Sequence, residues 1–142
     1  MTKVAATGVF DILHPGHILF LAEAKKLGGE LIVILARDEN IKKHKRQPVI
    51  PENQRLEVIR ALKVVDAAVL GDLDDMFKPI IELKPDIIAI GPNQAFLEKD
   101  LEKKLKERNI NAKVVRIKTL WEGELNSTGK IIEKIKKNQG FN

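Results

Sequence analysis

Two histidines, His14 and His17, lie three residues apart just after the first apolar run of the chain, in the segment GVFDILHPGH. Residues at positions i and i+3 share one face of a helix. Because Pro15 suits the first turn of a helix, both imidazoles are expected at a helix N-terminus. Free backbone N–H groups and the positive end of the helix dipole attract phosphate there. Gly16 has no Cβ, so a ligand or backbone can come close. The segment therefore predicts a site for phosphoryl groups.

Metal binding and simple packing are the alternatives for this histidine pair. A His-x-x-His pair with Asp11 supplies few metal ligands, and the only other histidine is His44. The chain contains no cysteine, which excludes a thiolate metal site and a disulfide framework. The placement of the pair after a strand, with Gly16 between the two rings, favours phosphate contact over packing. We therefore assign no metal ligand to the protein.

The elements that must position these histidines alternate regularly along the chain. Strands are predicted at 3–10, 30–36, 66–70, 86–90 and 112–117, and helices at 15–29, 51–62, 74–83, 98–108 and 127–137, with Pro79 expected to disturb the helix at 74–83. This order favours a doubly wound, Rossmann-like α/β domain over residues 1–142, with a five-stranded parallel sheet and helices on both faces. Such sheets bind ligands beyond the carboxyl ends of their strands. Functional residues are therefore expected in the loops after the strands.

Three further loops fit that expectation. A basic cluster, Lys42–Arg46, follows the second strand, and Asn93 follows the fourth. Ser127 and Thr128 stand where the last helix should begin, and hydroxyl side chains there offer donors to phosphate as well as ordinary capping. Trp121, the only tryptophan, could stack on a planar ring or pack in the core.

Composition restricts the class of protein and its partners. The net charge of +5 favours anionic partners, and 44% hydrophobic residues suffice for a core. No apolar run approaches the roughly 20 residues of a membrane span, and no signal peptide is visible. We therefore expect a cytoplasmic protein with no membrane partner. A nucleic-acid-binding module is the non-enzymatic alternative, but aromatic residues are only 4% of the chain and no reader motif is present.

The segment GVFDILHPGH resembles the G-[TV]-F-D-x-x-H-x-G-H signature of the nucleotidylyltransferase superfamily. The resemblance implies that His14 and His17 contact the phosphates of a nucleoside triphosphate while an acceptor phosphate attacks the α-phosphorus. Pyrophosphate then leaves without a covalent enzyme intermediate. It also implies a divalent cation, Mg²⁺ by expectation, bound mainly through the nucleotide phosphates. This agrees with the phosphate site predicted from the residues themselves.

The same resemblance assigns roles to the basic cluster. In similar enzymes, lysines of this loop close over the triphosphate and the acceptor phosphate. A gapless comparison places them at His44 and Arg46, with Lys43 and Lys45 alongside. Catalytic cations are therefore expected among Lys43, Lys45 and Arg46. Arg55 matches an arginine of an E-x-x-R motif, where it would be a substrate contact or a salt bridge within the helix.

The remaining implied roles concern nucleotide binding. The segment NSTGKI resembles the I-S-[ST]-[ST]-x-I motif, with departures at Asn126 and Gly129. The residues implied to bind the nucleotide are Val9, Phe10, His14, Pro15, Gly16, His17, Asn93, Leu120, Ser127 and Thr128.

The run HPGH…ARDE…PENQR…LKPDIIAIGPNQ is most similar to the archaeal FAD synthases within this superfamily. Those enzymes transfer AMP from ATP to FMN and release pyrophosphate. The alternative is a CTP-dependent glycerol-3-phosphate cytidylyltransferase or another small enzyme with a phosphate acceptor. Relatives are often dimers, so a homodimer is a further expectation, and no nucleic-acid partner is expected.

Overall fold

The computed structural model describes residues 1–43 and 47–138. Five strands, all paired in parallel, form one sheet in the order β3-β2-β1-β4-β5. They are β1 (Lys3–Gly8), β2 (Glu30–Leu35), β3 (Ala67–Leu70), β4 (Ile87–Ile90) and β5 (Lys113–Arg116). The predicted five-stranded parallel sheet is therefore confirmed. Strand β2 is buried over nearly its whole length, as its continuous apolar sequence requires.

Helices cover both faces of the sheet, which confirms the doubly wound arrangement. They are α1 (Pro15–Lys26), α2 (Asp38–Lys42), α3 (Glu52–Arg60), α4 (Lys78–Leu83), α5 (Glu98–Glu107) and α6 (Thr128–Lys137). On one face, α1 and α3 bury Leu21 and Ile59 against alternate side chains of β1 and β2. On the other face, α4 and α5 bury Ile80 and Leu105 against β4 and β5.

Two helices differ from the sequence-based expectation. Residues 38–42, expected in a loop, form the short helix α2. The fourth helix begins at Lys78 and not at residue 74, and Pro79 lies in its first turn. The missing N–H of a proline needs no partner at that position, so Pro79 helps to start α4 and does not disturb it.

The strand order determines where a ligand can bind. The chain moves outward from β1 through β2 to β3, then returns to the other side of β1 for β4 and β5. The strand order therefore reverses between β1 and β4, and a crevice opens there beyond the carboxyl ends of these strands. None of the helices in the described ranges is long and apolar enough to span a bilayer.

Candidate active site

The two histidines cap helix α1 together. His14 is the N-cap residue, and its Nδ1 accepts a hydrogen bond from the backbone N–H of Gly16 at 3.0 Å. The Nδ1 of His17 accepts from the backbone N–H of His14 at 3.2 Å. Because each neutral ring uses Nδ1 as an acceptor, its proton belongs on Nε2. The two ring centroids are 3.9 Å apart. The predicted pair at a helix N-terminus is therefore confirmed, and it presents two Nε2–H donors.

Burial keeps both imidazoles neutral. It lowers the pKa of His14, and it lowers the pKa of His17 to about 4. The nearby His14 lowers the pKa of His17 further, whereas Asp11 raises it. At neutral pH the pair therefore acts through N–H donors and not through fixed positive charges.

This burial predicts a pH-dependent stability. An unfolded histidine takes up a proton near pH 6.5, whereas folded His17 does so only near pH 4. Between these values the unfolded state binds more protons, so the free energy of unfolding should fall as the pH decreases from about 6.5 toward 4. Urea denaturation of the wild type and of His17→Gln at pH 7 and pH 5 checks this. The variant should lose part of the pH dependence, and an equal loss of stability in both proteins would contradict the assignment.

The ring of Phe10 packs against the ring of His17. The φ of Phe10 is +51°, a left-handed conformation that costs a residue with a large side chain on the order of 1–3 kcal/mol. The ring folds back over Gly8, where a Cβ would lie only 2.7 Å from it. Its ring centroid then lies 5.5 Å from the ring centroid of His17 and 6.2 Å from that of Phe20. Phe10 thus excludes water from one side of the imidazole.

Asp11 connects the histidine segment to the segment that follows the basic cluster. Its two carboxylate oxygens accept hydrogen bonds from the backbone N–H groups of Val49 and Ile50, at 2.9 and 2.8 Å. The side chain is buried. Sequence reasoning considered Asp11 only as a metal ligand and missed this structural contact, although its place in the motif before His14 was a signal.

Arg55 is a buried residue with a structural role, and its side chain is not accessible to solvent. Its guanidinium donates to the carbonyl oxygens of Val9, Ile50 and Ala36 at 2.7, 2.9 and 3.0 Å, respectively. It also pairs with Asp38 at 2.6 Å. Both sequence-based alternatives for Arg55, a substrate contact and a salt bridge within its helix, are therefore wrong, because the side chain points inward between the ends of β1 and β2.

The segments ARDE and PENQR meet around this arginine. The backbone N–H of Asp38 donates to the Glu52 carboxylate at 2.9 Å, and the N–H of Glu52 donates to the Asp38 carboxylate at 3.1 Å. Glu52 also pairs with Arg37 at 2.8 Å. Each acidic side chain thus satisfies a donor at the start of the other helix, α2 or α3. These segments fix the two ends of the connection that carries the basic cluster.

The start of helix α6 lies against the histidine segment. The Thr128 hydroxyl donates to the carbonyl oxygen of Ile12 at 3.0 Å. The carbonyl oxygen of Asn126 would be 3.5 Å from a Cβ on Gly16. Ser127 is the N-cap of α6 and accepts from the N–H of Lys130 at 3.1 Å. A Cβ on residue 16 would lie only 2.7 Å from the His14 ring, so the position next to this cap requires glycine.

Arg116, which ends β5, fixes the loop after β4. Its guanidinium donates to the carbonyl oxygens of Gly91 and Gln94, each at 2.9 Å, and to that of Phe96. It also pairs with Glu98 at 2.7 Å. Sequence reasoning missed this residue, because one arginine at the end of a strand gives no distinctive pattern.

Asn93 and Gln94 lie differently in the loop after β4, and the nucleotide contact predicted for Asn93 stays a prediction. Asn93, the predicted nucleotide contact, is exposed. Gln94 turns inward, where its Oε1 accepts from the N–H of Gly91 at 2.6 Å and its Nε2 donates to the Thr7 hydroxyl at 3.4 Å. Because Thr7 lies near the end of β1 and Gly91 follows β4, the Gln94 amide lies in the crevice where the strand order reverses.

Replacement of Arg116 by alanine is expected to loosen this loop without unfolding the protein. The change removes several hydrogen bonds to a charged donor, each of which stabilises by about 1.5–3 kcal/mol. Hydrogen exchange measured by mass spectrometry should become faster in peptides covering residues 91–97. Arg108→Ala is the matched control, since Arg108 pairs with Asp75 at 2.8 Å outside this loop. Equal exchange of 91–97 in both variants would contradict the assigned role.

The other predicted residues lie around the same edge of the sheet. Pro15 is the first residue of α1, and Leu120 is 60% exposed in the loop after β5. Lys43 is exposed at the end of α2. His44, Lys45 and Arg46 lie outside the described residues, so their predicted roles stay predictions. The Trp121 ring lies over Gly123, where a Cβ would approach it within 1.8 Å.

In the described part of the chain, no group of three or more His, Cys, Asp or Glu side chains is arranged to hold a metal ion. The site as built consists of the two histidine Nε2–H donors, the start of α1, the start of α6 and the loop after β4. This arrangement can bind phosphate groups over α1 and stabilise negative charge that develops on them.

Comparisons with known proteins agree with this chemistry. The cytidylyltransferase-like family model matches residues 5–134. A protein of Archaeoglobus profundus named FAD synthase is 61% identical over 135 residues, which cover 95% of this chain and 86% of the relative. A protein of Methanocella paludicola with the same name is 60% identical over 136 residues and is covered over 97% of its length.

A solved structure is also similar. A lipopolysaccharide core biosynthesis protein from Thermoplasma volcanium is 52% identical and superposes with a TM-score of 0.81. The match covers 82% of this chain and 96% of that protein.

Proposed function

The chain belongs to the cytidylyltransferase-like family, and we propose that it is an FAD synthase that transfers AMP from ATP to FMN and releases pyrophosphate. One structural observation carries the reaction class: two imidazoles at the N-terminus of α1, each accepting a backbone N–H at Nδ1, which leaves Nε2 as the position for the ring proton. The choice of FMN as the acceptor is supported by the similar proteins named FAD synthase.

The proposed chemistry is an in-line displacement at the α-phosphorus of ATP. A phosphate oxygen of FMN forms the new P–O bond, and the bond between the α-phosphorus and the bridging oxygen to the β-phosphate breaks. The FMN phosphate is already anionic near neutral pH, so the step needs no protein nucleophile. Negative charge grows on the phosphate oxygens and on the departing pyrophosphate. Catalysis is therefore positioning and electrostatic stabilisation.

The histidines supply that stabilisation in the proposal. Nε2–H of His14 and of His17 would donate to phosphate oxygens, and the low pKa of His17 keeps its ring neutral near pH 7. The free N–H groups at the start of α1 would add to the same electrostatic effect. ATP would enter as its Mg²⁺ complex, with the cation bound to phosphate oxygens.

The proposed nucleotide site extends from this pair along the crevice between β1 and β4. At the start of α6, Ser127 would bind phosphate through its hydroxyl, and Thr128, whose hydroxyl donates to the carbonyl oxygen of Ile12, through its backbone N–H. Asn93 and the backbone near Leu120 would contact the nucleoside. Lys43, an exposed member of the basic cluster, would contribute positive charge.

A matrix of substrates tests the proposal. ATP and CTP are each combined with FMN, glycerol 3-phosphate and phosphopantetheine, and pyrophosphate release is measured with Mg²⁺ present. We expect release with ATP and FMN, together with FAD formation detected by chromatography. Activity only with CTP and glycerol 3-phosphate would replace FAD synthesis by the alternative cytidylyltransferase function. Steeply salt-dependent binding of polynucleotide without pyrophosphate release would favour a nucleic-acid-binding module.

The cellular location and the oligomeric state of the protein are also proposed. We propose a cytoplasmic location, because a chain without cysteine is consistent with a reducing compartment. We also propose a homodimer from the resemblance to dimeric relatives. Sedimentation velocity at several protein concentrations measures the oligomeric state, and a monomer throughout would exclude the dimer.

A further inference from the structure

Two buried charged side chains, Asp11 and Arg55, hold opposite sides of one residue. The Asp11 carboxylate accepts from the N–H of Ile50 at 2.8 Å, and Nε of Arg55 donates to the carbonyl oxygen of Ile50 at 2.9 Å. Asp11 is 6% exposed and Arg55 is 1% exposed. We call these three residues the buried clamp. No step of the proposed reaction uses either charged side chain as a substrate contact.

The buried clamp also fixes the segment before the histidines at two points. Nη1 of Arg55 donates to the carbonyl oxygen of Val9 at 2.7 Å. Asp11 belongs to the segment itself and binds the N–H of Val49 as well as that of Ile50. Val9 and Asp11 are the two chain neighbours of Phe10. The backbone is therefore held on both sides of Phe10.

Phe10 needs such support. Its φ of +51° is unfavourable for a residue with a Cβ, and a strained conformation persists only where the surroundings determine it. Phe10 is only 4% exposed, and its ring centroid lies 5.5 Å from that of His17. If the backbone at Phe10 relaxed to negative φ, the ring would leave this position. The contact between the Phe10 ring and His17 therefore depends on the turn at Phe10.

We propose that Asp11 and Arg55 are positioning residues for the nucleotidyl transfer. They hold Phe10 in its left-handed conformation, and the Phe10 ring orients His17 toward the phosphates. The kinetic consequence rests on the proposed function, whereas the effect on His17 is measurable without substrate.

Asp11→Asn is the main test. Asparagine keeps the size of the side chain but presents an amide NH₂ where one carboxylate oxygen accepts, so one of the two backbone hydrogen bonds is lost. We expect faster exchange of the Val49 and Ile50 amide protons in NMR spectra. The Cε1–H resonance of His17 at pH 7.5, shifted by the ring current of Phe10, should move. The kcat should fall about 10- to 100-fold, with little change in the KM for ATP.

Asp66→Asn is the matched control. The Asp66 carboxylate likewise accepts from a backbone N–H, that of Leu31 at 2.7 Å, and pairs with Lys25 at 2.5 Å. Leu31 lies near the start of β2, at the opposite end of the sheet from the histidines. This variant should lose stability while leaving the His17 resonance and kcat unchanged. A purely structural effect of Asp11→Asn would behave in the same way.

Two further variants test the proposal if Asp11→Asn does not fold. Phe10→Leu keeps an apolar side chain and removes the ring; because loss of the ring current moves the His17 resonance by itself, kcat is the readout for this variant, and it should fall. Arg55→Lys keeps the charge and the Phe10 ring but loses the planar fork of donors, so it should both move the His17 resonance and lower kcat.

An unmoved His17 resonance in variants that fold would overturn the proposal, whatever happens to kcat. A resonance that moves while kcat stays at the wild-type value would overturn it as well. If the wild type forms no FAD and yet Asp11→Asn moves the His17 resonance, the proposed function fails. The positioning of His17 by the buried clamp would still stand.

Discussion

Replacement of His17 by alanine is expected to lower kcat for FAD formation by about 10²- to 10³-fold, the usual cost of removing one preorganised donor that faces developing charge. The structure places the Nδ1 of His17 on a backbone N–H at 3.2 Å, which leaves Nε2–H as the donor of the ring. Alanine removes this donor from the transition state. Binding of FMN should change far less, because the donor acts on charge that grows during the reaction.

Steady-state kinetics with saturating ATP and FMN measure this effect, and FMN binding is followed separately by fluorescence. His17→Gln should restore part of the rate, because its amide Nε2 offers a donor on a side chain of similar length. Ile18→Ala is the control, since Ile18 is 40% exposed on the same helix. A His17→Ala protein with wild-type turnover would remove the basis for the assigned chemistry.

Replacement of Arg55 by alanine is expected to lower the free energy of unfolding by about 3–5 kcal/mol, the range found when one partner of a buried ion pair is removed. The arginine is 1% exposed and satisfies three backbone carbonyl groups as well as Asp38. Alanine removes the donor that these four part-buried acceptors share. A cavity also opens between the ends of β1 and β2, where the histidine segment begins.

Urea denaturation at pH 7 measures this loss. Arg108→Ala removes an ion pair of similar length, 2.8 Å to Asp75, but the side chain of Arg108 is 43% exposed. That control should cost no more than about 1 kcal/mol, as exposed ion pairs do. If both variants lost the same small amount, the buried network around Arg55 would not carry the stability assigned to it.

The histidine site could be predicted from local sequence because its geometry is local. Pro15 and the three-residue spacing of His14 and His17 determine how the side chains stand on the first turn of α1. The same holds for Ser127, which begins α6 as expected. The alternation of apolar and amphipathic segments determined the parallel sheet, because the central strands of such a sheet are covered by helices on both faces.

Other parts of the site depend on residues far apart in sequence. The sequence of the E-x-x-R segment shows two charged residues one turn apart, which favours a pair within the helix. The fold instead brings Arg55 to Asp38 and gives Glu52 to Arg37. Only the order of the strands decides which of these partners come within reach.

The sequence by itself therefore determined the fold class, the phosphate-binding character of the segment before α1 and, through its resemblance, the reaction class. The tertiary structure alone decided that Gln94 and not Asn93 turns into the crevice, and that Arg116 fixes this loop. It also decided that Asp11 and Arg55 are buried around Ile50. The physical reason is that helix caps and strand patterns depend on neighbouring residues, whereas a buried charge is defined by the distant groups that replace its water.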